Sequence, residues 1–181
     1  TMPNGQGFDL KRDCIKADSH EMRAVLSRIY TTWDPDVVMD LHTTNGTRHG
    51  YQLTYAPPMS PITEPDVMRF TRDELLPRLR KGMRSDYGFD LFDYGNATRR
   101  GEPRRWETFG VEGRHVSPYA RLRNRIGILS EATSYLAFKD RIAVTHAFVV
   151  SILVEVAQDK EKIIELTRGA DARVVQMGID A

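Results

Sequence analysis

Cysteine is almost missing: Cys14 is the only one in 181 residues. An internal disulfide framework is therefore excluded, and so is a thiolate zinc module of paired Cys-x-x-Cys, so any metal bound here must use imidazole and carboxylate. Charge of one sign is lacking too. The 26 Lys and Arg against 25 Asp and Glu leave a formal net charge of +1, without the global field that binding to nucleic acid or an anionic membrane relies on. Long apolar runs are also absent. The longest, over residues 143–156, is interrupted by Thr145, His146, Ser151 and Glu155 and predicts a buried helix, not a membrane span. Nucleic acid and membrane are thus not expected as partners. The first residues, Thr1-Met2-Pro3-Asn4-Gly5-Gln6-Gly7, read as a Pro/Gly-rich loop and not as a charged, then apolar, signal sequence. The start is expected to be an internal cut, which leaves the compartment undecided.

What is present is enough apolar side chain, 40% of the sequence, to bury the core of a single domain over residues 1–181. Asp18 or Ser19 can cap a helix running to Tyr30, with Met22, Val25, Leu26 and Ile29 at helical spacing and Pro35 beyond its end. Val37-Val38-Met39-Asp40-Leu41-His42 predicts a short buried parallel strand, closed by Thr-Thr-Asn-Gly. Residues 51–55 alternate like a strand, and a proline-rich loop covers residues 57–65. An amphipathic helix is expected over residues 65–84, bent or divided at Pro77. Residues 89–94 alternate like an edge strand, and Gly95-Asn96 turns the chain. Ile126-Gly127-Ile128-Leu129-Ser130-Glu131 predicts a second buried strand. Helices over residues 141–156 and 161–167 close the chain. The fold class is therefore α/β, with a mixed, largely parallel sheet flanked by helices. In such sheets ligands bind outside the carboxyl ends of the strands, and both His42 and Glu131 fall at such ends.

His42 leaves its strand next to a glycine-bearing turn, from which a ring nitrogen can point into a crevice as a metal ligand; a histidine merely hydrogen-bonded at a strand end is the plainer reading. A catalytic zinc needs three protein ligands and an open position, yet no His-x-x-Glu or His-Glu-x-x-His occurs here. Glu131 ends an apolar strand, where burial would raise its pKa and suit it to general base work, unless it serves as a cap or ion-pair partner. Arg12, in Gly7-Phe8-Asp9-Leu10-Lys11-Arg12-Asp13, can clamp a carboxylate with two parallel hydrogen bonds or pair with Asp9 or Asp13. The arginines between Arg99 and Arg125, interleaved with Trp106, Phe109 and Tyr119, allow a nucleic-acid reading, but the near-neutral total favours a solvated loop whose charge is balanced elsewhere.

Taken in order, the segments around Arg12, Asp40-Leu41-His42-Thr43-Thr44-Asn45-Gly46 and Ile128-Leu129-Ser130-Glu131 resemble the carboxypeptidase A-type zinc metallopeptidase family. Gly50-Tyr51-Gln52-Leu53-Thr54-Tyr55 is similar to a stretch of its bacterial members. The resemblance implies the later half of that fold and a hydrolase that removes a C-terminal residue, or cleaves a related amide, by zinc-activated water. It implies His42 as the last of three zinc ligands, Glu131 as general base, Arg12 as a holder of the substrate's free carboxylate, and Tyr119 as the nearest candidate for a tyrosine beside the substrate. It also implies that the His-x-x-Glu pair lies upstream of Thr1, so that this chain would be inactive alone, and a periplasmic or secreted parent. Lys11 departs from the family's usual Asn and adds charge. A non-catalytic module binding a carboxylate ligand or a peptide C-terminus is the alternative. In a half-sheet the histidine strand would be an exposed edge, which invites a homo-oligomer.

Overall fold

The computed structural model describes residues 3–44, 46–56, 58–98, 101, 103–108 and 110–180. Its strands are β1 (Val37–Thr44), β2 (Leu53–Ala56), β3 (Leu91–Asp93), β4 (Asn96–Ala97), β5 (Trp106–Glu107) and β6 (Ile126–Thr133). Four of them form one sheet in the order β1-β6-β2-β3, and β4 pairs with β5 in a separate ribbon. β1 runs parallel to β6 and β2 parallel to β3, while β2 and β6 are antiparallel. The expected α/β class with a mixed, largely parallel sheet flanked by helices is what the chain adopts. All eight residues of β6 are buried, as a strand covered on both faces requires, and its apolar run therefore does not alternate.

Among the described residues six α-helices flank the strands: α1 (His20–Val25), α2 (Pro65–Arg69), α3 (Leu76–Tyr87), α4 (Val116–Leu122), α5 (Phe138–Gln158) and α6 (Lys160–Ile179). Ser19 caps α1 by accepting from the Met22 amide, and the helix continues as a wide π-type turn over Leu26–Tyr30. The division expected near Pro77 takes the same form: a π-type segment, Phe70–Leu75, joins α2 to α3, and Pro77 sits in the first turn of α3, where its missing N–H is not needed. Gly88, at φ 72, ends α3 in the left-handed conformation. The last two helices extend beyond the spans predicted from sequence, because the apolar spacing fades while the polar residues still favour helix. Among the described residues no single helix is long and apolar enough to cross a membrane.

The core lies between one face of the sheet and α3, α5 and α6. Ile126, Ile128 and Ala132 of β6 meet Phe148 and Ile152 of α5 and Leu79 of α3, all buried. The alternate residues of β6 face α4. A Cβ on Gly127 would lie 2.2 Å from the Ser117 carbonyl oxygen, so glycine is what lets α4 approach the strand so closely. Arg121 of α4 is buried there, donating from Nε to the Gly127 carbonyl at 2.8 Å and from Nη2 to the Ala56 carbonyl at 3.0 Å. Burial lowers its pKa to about 10, and it remains a cation at neutral pH.

The expectation of a solvated arginine loop is corrected at its C-terminal end. Arg121 is internal, Arg123 donates to the Tyr30 carbonyl, and Arg125, 4% exposed, pairs with Asp34 at 2.6 Å and Asp171 at 2.9 Å. Asp34 also accepts from Arg168, and these partners, Arg125 foremost, hold its pKa down to about 2. The charges are balanced locally, by carboxylates brought in from distant segments. Arg99, Arg100 and Phe109 lie outside the described residues, as do Thr1, Met2, Asn45 and Pro57.

Replacing Arg121 by methionine keeps the apolar stem but strands two buried carbonyls. Urea unfolding is expected to show a loss of roughly 2–4 kcal/mol. A loss below about 1 kcal/mol would mean that the carbonyls find other donors and that Arg121 does not hold α4 to the sheet.

Candidate functional site

The parallel register of β1 and β6 sets Asp40 beside Leu129 and His42 beside Glu131. Side chains two apart on a strand share a face, so all four lie on the face covered by α4, while Val37 and Met39 turn to α5 and α6. His42 and Glu131 consequently face one cavity of about 300 Å³. Lys11 and Arg12 line it from the N-terminal turn, Tyr94 from beyond β3, and His115 and Ser117 from the start of α4.

Burial sets the state of Glu131. It is 9% exposed, and its Oε2 finds no hydrogen-bond partner among the described residues. Desolvation pushes its pKa up to about 7, although the nearby charges of His42 and Lys11 pull the other way. Thr54 of β2 lies opposite Glu131, and its hydroxyl is likewise buried without a partner among the described residues. A carboxyl group held near neutrality in this way can both take up and release a proton.

His42 is oriented by its neighbour two residues back. Its Nε2 donates to Asp40 Oδ1 at 2.8 Å, which leaves Nδ1 as the basic nitrogen of the neutral ring. That hydrogen bond raises the pKa of His42, outweighing the effect of burial. The plainer sequence reading, a histidine satisfied at a strand end, therefore describes one edge of the ring.

The N-terminal turn that brings the two cations is firmly tied. Residues Leu10–Arg12 form a single 3-10 turn capped by Asp9, which accepts from the Lys11 amide. Asp13 is buried and accepts from the Ser19 amide at 2.9 Å and its hydroxyl at 2.6 Å, and the Cys14 amide donates to the Arg114 carbonyl. Arg12 Nε lies 3.4 Å from Asp9 Oδ2, so the surface ion pair and the position beside the cavity coexist. The Lys11 ammonium enters no ion pair among the described residues.

Tyr119 stands elsewhere. Its ring packs edge-on against Tyr30, with centroids 5.3 Å apart, and it is not among the residues lining the cavity. The tyrosine that does line it is Tyr94, whose pKa is raised by burial and by the charge of Glu131. Sequence reasoning left Asp40, Tyr94, His115 and Ser117 without a role. Asp40 carried a usable signal, because Asp-x-His on a strand puts both side chains on one face. Tyr94, His115 and Ser117 carried none, since Tyr94 follows β3 and the other two stand at the start of α4, both far in sequence from His42.

No group of three His, Cys, Asp or Glu side chains converges to hold a metal ion among the described residues. The cavity is lined by two imidazoles, His42, already tied to Asp40, and His115, and by the carboxylates of Asp40 and Glu131, but no three of them converge among the described residues, so the zinc site implied by the resemblance is not complete in these residues. A larger cavity of about 530 Å³ lies against α3 and β3, but Arg72, Arg80, Lys81 and Arg84 dominate it and no histidine or glutamate enters it. No family model, curated protein or solved structure matches the chain.

The raised pKa of Glu131 has a definite sign. The folded state holds this proton more tightly than the unfolded state, so its contribution to stability is complete below about pH 4.5 and is lost as pH rises through about 7. Replacing Glu131 by Gln should remove this fall and leave the variant more stable than the native chain at pH 8, by on the order of 1–3 kcal/mol. Parallel stability–pH profiles for the two chains from pH 4 to 8 would contradict the assignment.

Proposed function

We propose that this chain carries the proton-transfer and carboxylate-recognition part of a hydrolase in the manner of the zinc carboxypeptidases, acting on a C-terminal peptide bond or a related amide. The observation that carries the reading is the register of His42 with Glu131 on adjacent parallel strands, facing one cavity with Lys11 and Arg12 beside it. In the proposed reaction Glu131, as carboxylate, takes a proton from the attacking water and then delivers it to the departing amine. A pKa near 7 suits both halves of that transfer. The free carboxylate of the substrate is held by the guanidinium of Arg12, with the Lys11 ammonium adding attraction. His42 would offer Nδ1 as one metal ligand, its ring angle fixed by Asp40, as a carboxylate behind a ligating imidazole does. The remaining ligands would have to come from outside the described residues.

The second reading, a non-catalytic module that binds a carboxylate ligand, is favoured by a different observation: the absence of three converging ligands among the described residues. The two readings share the carboxylate subsite and differ in the role of Glu131.

Titrating the chain with an N-acylated dipeptide bearing a free C-terminus, and with the same dipeptide amidated, tests the subsite by chemical-shift changes. The free acid is expected to bind at least about 10-fold tighter, and Arg12→Ala should abolish that difference. Equal binding of acid and amide would dismiss both readings. Hydrolysis separates them. In a longer form supplying further ligands and loaded with zinc, Glu131→Gln should lower kcat by at least about 10²-fold with little change in KM. Zinc uptake with no hydrolysis would leave the binding module.

A further inference from the structure

Among the described residues β1 lies at the outer edge of the sheet, hydrogen-bonded to β6 on one side only. It is eight residues long and contains neither proline nor lysine, so two of the devices that usually blunt an open edge are absent. The helical layer beside it is just as bare. Leu41 of the strand is 46% exposed, and Ile142 and Leu153 of α5 are 53% and 56% exposed. Two clefts run along this border, one where Thr43 meets Ile142 and one where Met39 meets Leu153. An unpaired strand and an apolar stripe thus form one continuous surface of the kind that marks an interface.

We propose that this surface joins two copies of the chain, β1 pairing antiparallel with β1 of the second copy about a two-fold axis at Leu41. The charges on the strand choose the register. An axis normal to the sheet brings like faces together, so residues that share a face must oppose each other. Centred on Leu41, Asp40 of each copy lies opposite His42 of the other, and Leu41 meets Leu41. Centred one residue earlier, on Asp40, the two carboxylates would oppose each other directly, which is unfavourable. The same axis carries Ile142 and Leu153 of both copies onto one side of an extended eight-stranded sheet. The interface uses each β1 once and so closes at a dimer. The other edge, β3, has three residues and offers little for further growth.

This inference rests on the open edge of β1 and not on the proposed reaction, and it is tested on residues 1–181. Sedimentation velocity over a wide concentration range should show a monomer–dimer equilibrium with a Kd on the order of 10 µM or tighter. Leu41→Lys sets two ammonium groups at the axis and should weaken it at least about 100-fold with an unchanged circular dichroism spectrum. Tyr87→Lys, at a residue 44% exposed at the end of α3, which packs against the opposite edge strand β3, should leave it unchanged. Under mild oxidation Leu41→Cys should cross-link to itself, because the residue on the axis meets its own copy. Val38→Cys should not, and Cys14, 2% exposed, stays out of reach. A native chain that is monomeric throughout, a dimer indifferent to Leu41→Lys, or open-ended aggregates in place of a dimer would each overturn the proposal.

Discussion

Parallel pairing of Val37–Thr44 with Ile126–Thr133 fixes nearly everything else, because a strand's side chains alternate and a slip of one residue would turn every one of them to the other face. In the observed register Ile126 and Ile128 enter the core while Leu129 and Glu131 enter the cavity. The core and the site are therefore two sides of one pairing. Burial of the apolar set enforces the register, and the register in turn holds a carboxyl group where water reaches it poorly. Gly127 completes the arrangement from the site side, since any larger residue would hold α4, with Ser117 and Arg121, away from the sheet.

Charges in and beside the interior are satisfied to different degrees: Arg125 is buried, with the half-buried Asp34 and Asp171 beside it. Arg125, Asp34 and Asp171 are matched with short contacts between oppositely charged groups, and a matched set of this kind joins the turn before β1, the start of β6 and α6 without favouring any other structure. Glu131 is left with one oxygen unpartnered among the described residues, a condition that weakens a fold and that folds tolerate mainly where the group has work to do. His42 sits between these cases: Asp40 satisfies one ring nitrogen and leaves the other chemically open. The contrast supports a functional site at the carboxyl ends of β1 and β6, where an α/β sheet offers its crevice.

The same sheet explains why one side of the molecule is finished and the other is not. β6 and β2 lie in the interior and are wholly buried. Among the described residues β1 has a neighbour on one side alone and keeps Leu41 in contact with solvent, and the helix beside it exposes Ile142 and Leu153. An edge of this length beside apolar surface offers a template for pairing with another chain.

How much was legible beforehand depended on whether a feature is local. The apolar run of residues 126–131, a helix cap at Asp18 or Ser19 and a break in the helix near Pro77 are set by neighbours a few residues away, so the amino-acid order alone indicated them, and with them the α/β class. It also singled out His42, Glu131 and Arg12, because each ends an apolar run or sits in a turn of recognisable composition. The paths of Tyr94 and His115 to the cavity, the placement of Tyr119 against Tyr30 instead, and the burial of Arg121 and Arg125 had no local signature. Those were decided when distant segments packed together, because a long polar side chain can be satisfied by any partner within reach and only the tertiary structure determines which partner that is.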